Sequence, residues 1–345
     1  MPVTLDHLPV GGDFDEVIDV RAPAEFAEDH VPGALSLPVL SDAERARVGT
    51  IYVREDRFLA RKVGAALVAR NSATHLEGPL ADRGGGWRPL VYCWRGGQRS
   101  GSFTSILQQI GWRADTVAGG YKAYRALVKA ALYDDPLPHR LVVIDGGTGS
   151  AKTALLGHLA AAGAQAIDLE GLARHRGSNF GGLAEPQPSQ KWFESQLADA
   201  LARADRTRPV FVEAESTAIG RIKLPPSLWA AMARAETVRL DAPVAARAAH
   251  LLEAYPDLGD PALLAERIET LRPYHPRDRI AAWHALAREG RLRDLAEALV
   301  GEHYDRRYRD HSGERVRLGA LALERLDAGA LDAAAARLIA MTAQG

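Results

Sequence analysis

Residues 141–159 constrain the fold more than any other stretch. Leu141-Val142-Val143-Ile144-Asp145 is a near-continuous apolar run of strand length. Such a run belongs to a parallel strand buried on both faces. Gly146-Gly147-Thr148-Gly149-Ser150-Ala151-Lys152-Thr153 follows, then the helical Ala154-Leu155-Leu156-Gly157-His158-Leu159. Strand, glycine loop and helix in that order are the setting of a phosphate-binding loop. The glycines let backbone amides close on phosphate oxygens, Lys152 neutralises them, and the Thr153 hydroxyl suits Mg2+. Any diphosphate would satisfy these amides. No tightly bound cofactor and no all-protein metal site is expected. Ala151 stands where the pattern calls for Gly, and its methyl is expected to strain the loop or narrow the site.

A second junction of the same kind lies earlier. Pro89-Leu90-Val91-Tyr92 reads as a buried strand and leads into Cys93-Trp94-Arg95-Gly96-Gly97-Gln98-Arg99-Ser100, after which Ser102 to Ile110 reads as a helix. Loop amides and the helix N-terminus converge on Cys93, the only cysteine in the chain. A thiol there is expected to ionise below the usual value of about 8.5. Arg95 and Arg99 are expected to add positive charge that favours a thiolate or a bound oxyanion. Buried lone cysteines are usually inert, but they rarely sit beside two Arg and two Gly.

At 345 residues the chain has length for two domains. Hydrophobic content of 47%, charge of 25% and net charge −1 describe an ordinary globular chain without an overall basic field. Any RNA contact must therefore come from a local patch. One cysteine excludes a disulfide framework and thiolate-clustered metal. Met1 to Val10 has no basic, apolar leader pattern and no stretch is long enough to span a membrane, so a cytoplasmic protein is expected.

In order, Asp15 to Arg21 reads as a strand, Pro23 opens a helix, and His30-Val31-Pro32-Gly33-Ala34 makes a turn. With the loop cysteine and the later Gly119-Gly120-Tyr121-Lys122-Ala123-Tyr124, this part resembles the rhodanese domain. Five residues separate Cys93 from Arg99. Sulfur-carrying rhodanese loops look one residue shorter, and the phosphatases that share the fold have the longer loop. The spacing points to a phosphate-sized anion. Asp134-Asp135-Pro136-Leu137-Pro138 is a polar, proline-broken linker. The expected fold is α/β: a rhodanese-like domain over 1–133, a linker over 134–139, a P-loop parallel α/β domain over 140–300, and a helical extension over 301–345.

Further blocks carry chemistry-bearing residues. These are Asp168, Glu170, Arg174, His175 and Arg176 in one polar stretch, Gln187 and Gln190 before an amphipathic helix, and Glu213 and Glu215 at a strand end. Ligands of open parallel sheets gather at that end. No hydrophobic-Asp strand beside the P-loop is evident. Arg221 and Lys223 follow. Tyr304, Arg306, Arg307 and Tyr308 interleave aromatics with cations in a way that suits RNA stacking and phosphate contact.

Taken together, these blocks resemble the tRNA 2-selenouridine synthase family over nearly the whole length. The resemblance implies action on wobble 2-thiouridine of tRNA. It implies S-geranylation with geranyl diphosphate, then replacement by selenium from selenophosphate, which selenophosphate synthetase supplies. It implies Cys93 as an S-selanylcysteine carrier and the P-loop as the diphosphate site. Three other readings of the residues stay open: a phosphatase or sulfurtransferase at Cys93, a P-loop kinase or NTPase with a regulatory rhodanese module, and a non-enzymatic RNA-binding adaptor.

Overall fold

A computed structural model describes residues 2–343 except 96, 179, 184, 256–258 and 308–315, and the side chain of Arg307 is likewise not described. The chain forms two compact units. The first comprises 1–135 and 188–203, the second 136–187 and 204–345.

In the first unit, β1 (Glu16–Asp19), α1 (Pro23–Glu28), β2 (Leu35–Ser36), α2 (Asp42–Arg54) and α3 (Arg57–Glu77) precede β3 (Pro89–Tyr92). Then come α4 (Gln98–Ile110), β4 (Asp115–Thr116) and α5 (Gly120–Lys129). The strands pair in the order β2-β1-β3-β4, all parallel. The central β3 is buried at every residue because helices cover both faces. Ile18, Val20, Val91, Phe103 and Leu107 pack around its C-terminal half, and Cys93 joins that cluster.

The second unit opens with β5 (Leu141–Gly146), α6 (Lys152–Ala161), β6 (Gln165–Ile167) and α7 (Leu169–Ala173). The next helix, α8 (Gln190–Arg203), belongs to the first unit. Trp192 stacks on His30 at 3.8 Å, and Tyr133 donates to Glu194 at 2.5 Å. Arg125 also pairs with Glu194. Phe193, Leu197 and Leu201 are buried. The sequence places 188–203 inside a contiguous P-loop domain, and the structure takes it out. An amphipathic pattern shows that a helix needs a partner, not which partner.

The second unit continues with β7 (Val210–Glu213), the short β8 (Ala218–Ile219) and β9 (Ile222–Lys223), α9 (Pro226–Arg234) and β10 (Glu236–Asp241). Helices α10 (Val244–Ala254), α11 (Pro261–Glu269), α12 (Arg277–Arg288), α13 (Leu292–Ala298) and the short α14 (Asp305–Arg307) follow. Last come β11 (Arg317–Ala322) and α15 (Ala328–Thr342). The parallel sheet runs β11-β10-β5-β7-β6. The helical extension expected over 301–345 is corrected in one part: Arg317-Leu318-Gly319-Ala320-Leu321-Ala322 adds an edge strand to β10. Ala and Leu favour helix in isolation, and the open sheet edge overrides that preference. No helix among the described residues is long and apolar enough to cross a membrane.

Candidate active site

Cys93 sits between the last residue of β3 and the loop that starts α4. Its residue is only 4% exposed, with core packing behind it. Ser100 Oγ lies 3.2 Å from Sγ. Burial opposes ionisation most strongly, but the Ser100 hydroxyl and the amides of Ser100, Gly97 and Arg95 together outweigh it and hold the thiol below its usual value. The arginines act otherwise than expected. Arg99 pairs with Glu25 at 2.8 Å, and Glu25 also meets Arg45 at 3.1 Å. Burial opposes the Glu25 charge, yet these arginines hold its pKa low, so it stays ionised and compensates Arg99. Arg95 is exposed. The thiol is tuned by hydrogen-bond donors at the helix start. Gly97 is the N-cap of α4, which Gln98 begins, and Gly96 lies outside the described residues.

A buried frame holds the loop. Arg21 pairs with Asp19 at 2.7 Å and lies 4.0 Å over the Tyr121 ring. The Tyr121 hydroxyl donates to Asp29 at 2.6 Å. Trp94, next to Cys93, stacks on Tyr121 at 5.2 Å. From Trp94 a shallow cleft of about 480 Å³ runs past Lys122, Lys129 and Tyr133 to Lys191. The sequence patterns did not single out this cleft, because its walls come from α5 and α8.

The second site is built on β5 and α6. Gly146 and Gly149 have φ of 159° and 80°. Ala151 adopts φ 62°, ψ 30°, a left-handed conformation that costs a non-glycine residue about 1–2 kcal/mol. Its methyl packs with Leu155 and Leu156, which offsets part of that cost. The strain expected from this departure is present. Lys152 Nζ donates to Gly146 O at 2.9 Å across the loop. Thr153 Oγ1 donates to Glu170 at 2.9 Å. Arg247, absent from the sequence reading, donates to Thr148 O at 2.8 Å and to Asp305 at 2.8 and 3.0 Å. A Cβ on Gly147 would lie 2.6 Å from its guanidinium, so a larger residue there would displace Arg247. The Ser150 hydroxyl, in a loop built for anions, is buried without a hydrogen-bond partner among the described residues.

Four carboxylates cluster under the loop. β7 lies beside β5, with Glu213 in register with Ile144. An acid-ended apolar strand thus stands beside the P-loop strand, with Glu rather than Asp at its end. Glu213 accepts from the Glu170 amide at 2.7 Å. Burial pushes Glu213 well up, with Asp168 adding to the effect. Burial also raises Asp168 and Glu170, and raises Glu215 to about 8 with help from Glu170. Gly177 is pinned against this pair: a Cβ there would lie 2.5 Å from Glu170 and 2.9 Å from Glu215.

The loop, Glu170, Glu215, Arg176, His250 and Tyr304 line a cavity of about 580 Å³. Arg176 sits 4.2 Å over the Tyr255 ring. Tyr304 is a correction. It lines this cavity with its ring against Phe180, so it is not laid out for stacking on RNA. Its neighbour His303 is buried, Arg306 is exposed, and Tyr308 lies outside the described residues. Asp168 caps α7 through the Gly171 amide. Gln187 is corrected from substrate contact to structural tie: it bonds Ala173 O, Ile219 O and the Arg221 amide. Gln190 bonds Glu194 in the first unit. Arg174 is exposed and pairs with Glu185 at 3.5 Å. His175 accepts from the Gly177 amide, and burial lowers its pKa. Glu213 and Glu215 stand at the sheet's C-terminal edge, where ligands were expected.

A rhodanese-like domain whose loop holds a low-pKa thiol, followed by a P-loop α/β domain, defines a fused two-site protein. Family models match both parts: a rhodanese-like domain over residues 5–127 and a tRNA 2-selenouridine synthase AAA domain over 139–270. Similar relatives bear one description, tRNA 2-selenouridine synthase. One from Nitrosomonas europaea is 38% identical over 74% of this chain and 67% of its own. One from Aeromonas salmonicida is 40% identical over 74% and 68%. One from Cupriavidus pinatubonensis is 37% identical over 85% and 76%. The chain belongs to the tRNA 2-selenouridine synthase family.

Proposed function

We propose that the protein converts wobble 2-thiouridine of tRNA to 2-selenouridine, through S-geranylation with geranyl diphosphate and then exchange of the geranylthio group for selenium from selenophosphate. One observation carries this reading: a thiol held low by four donors and a separate P-loop cavity in one chain of this family. Lys152 and the loop amides would hold a diphosphate and stabilise the charge it takes on as it leaves. Thr153 and Glu170 are hard oxygen donors that suit Mg2+ on such a diphosphate, where it would supply further charge neutralisation. No set of three metal-holding side chains occurs among the described residues. Cys93 would meet selenophosphate and carry the selenium. The Trp94 cleft, with Lys122, Lys129 and Lys191, suits a single-stranded stretch of tRNA.

The test is mass spectrometry of wobble nucleosides from cells that carry each variant. Cys93→Ser is expected to abolish 2-selenouridine while S-geranyl-2-thiouridine persists. Full selenouridine with Cys93→Ser removes the carrier role. A second reading, nucleotide turnover at the P-loop, draws on Glu213 beside β5. Steady ATP hydrolysis that Lys152→Ala eliminates would favour it. A phosphatase reading loses support, because the nearby carboxylate Glu25 is held ionised and makes a poor proton donor.

A further inference from the structure

The helical part of the second unit carries a charged face that the two loop sites leave unused. Along α12, Arg277, Ala281, His284 and Arg288 recur at alternating spacings of about four and three, so they share one face. Arg272, from the turn before α12, joins them around a shallow basin of about 230 Å³. The helix beneath is held firmly, because Ile280 and Trp283 belong to a buried cluster with Leu264, Ile268 and Leu271.

The cations of this face differ in what already satisfies them. Glu269 pairs with Arg272 at 2.6 Å and with His284 at 2.7 Å. Outside the basin, Arg279 pairs with Glu302 and Arg291 with Asp294. Among the described residues, exposed Arg277 and Arg288 have no ion-pair partner. They stand about 16 Å apart along the helix axis.

What such a face binds follows from what lines it. No Phe, Tyr or Trp does, so it offers no platform for unstacked bases. It exposes no large apolar side chain, so it lacks the anchor around which a protein interface is built. Its volume, about seven water volumes of roughly 30 Å³, takes a hydrated phosphate group. Guanidiniums match phosphate oxygens two at a time. A duplex RNA arm is recognised through its shape, phosphates and 2′-hydroxyls, without stacking. We propose that this face of α12 holds the phosphate backbone of a double-stranded arm of the tRNA, with Arg277 and Arg288 as the principal contacts. The inference rests on the reading of tRNA as the substrate.

Fluorescence anisotropy of labelled, unmodified tRNA with the full chain tests it across a range of salt concentrations. Each phosphate contact contributes close to one unit of the log–log salt slope. The double variant Arg277→Gln, Arg288→Gln is expected to lower the slope by about two. It should weaken binding roughly 30-fold at about 0.15 M salt and leave it unchanged near 1 M. The loss should be the same for tRNAs of different sequence. Arg277→Lys with Arg288→Lys should keep most of the slope, and Arg291→Gln, whose charge is already matched, should keep all of it. A wild-type slope in the Gln double variant overturns the proposal. So does a loss that appears with single-stranded RNA but not with an RNA duplex of about 16 base pairs. Calorimetric binding of inorganic phosphate that the double variant abolishes, with tRNA affinity unaltered, overturns it in favour of a free-anion site. Absence of any tRNA binding by the unaltered chain overturns the tRNA reading and this contact together.

Discussion

The two anion loops use one device to different ends. Each joins a buried parallel strand to a helix N-terminus. In the first, the amides and Ser100 are already spent on the protein's own sulfur, and Arg99 is matched by Glu25. In the second, Lys152 spans the loop to Gly146 O, the Ser150 hydroxyl has no partner among the described residues, and burial raises the pKa of the carboxylates below, that of Glu215 to about 8. The first loop activates a nucleophile; the second waits for a ligand. A shared backbone geometry thus does not define a role; what already satisfies the donors does.

The largest break in this comparison comes from Lys152→Ala. It removes a charged donor worth about 1.5–3 kcal/mol, so diphosphate affinity measured by calorimetry should fall roughly 10- to 100-fold. The rate of Cys93 alkylation should not change. Glu215→Gln sharpens the second half of the contrast. The fold keeps Glu215 protonated up to about pH 8, chiefly through burial, against an ordinary value of 4.5. Between those values the folded chain holds a proton that the unfolded chain has released. Stability therefore declines as pH rises through this window, and the contribution is gone above it. Urea melts of ligand-free protein should show that decline, and Glu215→Gln should flatten it in part, because Asp168, Glu170 and Glu213 remain.

Ser100→Ala tests the first loop. Loss of the hydroxyl donor should move the pH profile of Cys93 alkylation upward, whereas Arg99→Ala should move it less. A larger shift from Arg99 would restore the charge-based account. Ala151→Gly has the smallest effect expected. Relief of the left-handed backbone should raise stability by up to about 1 kcal/mol in thermal melts, less what the buried methyl contributes.

Both junctions were legible because each is a continuous run of some twenty residues or fewer, with strand, glycines and helix in order. What escaped joins distant parts of the chain. Arg99 and Glu25 are 74 residues apart, and Arg247 and Thr148 are 99 apart. Nothing local marks an arginine as belonging to a carboxylate in another helix, so Arg99 reads as free charge and Arg247 as an ordinary helix residue. Tyr304 misled for the opposite reason: its sequence neighbours are cations, but in space it meets Phe180 and the P-loop cavity. β11 was hidden by Ala and Leu, whose strand role exists only against β10.

The placement of α8 with the first unit has a practical consequence for anyone who would dissect the protein. A cut in the linker near Asp135 leaves the first unit in two pieces, since 188–203 stays with the C-terminal fragment. The N-terminal piece would lose the helix that stacks on His30 and receives Tyr133, and the C-terminal piece would carry that helix as an orphan. Expression of the C-terminal piece alone would therefore expose Phe193, Leu197 and Leu201 to water, so its poor solubility would report this severed helix and not an instability native to the intact chain.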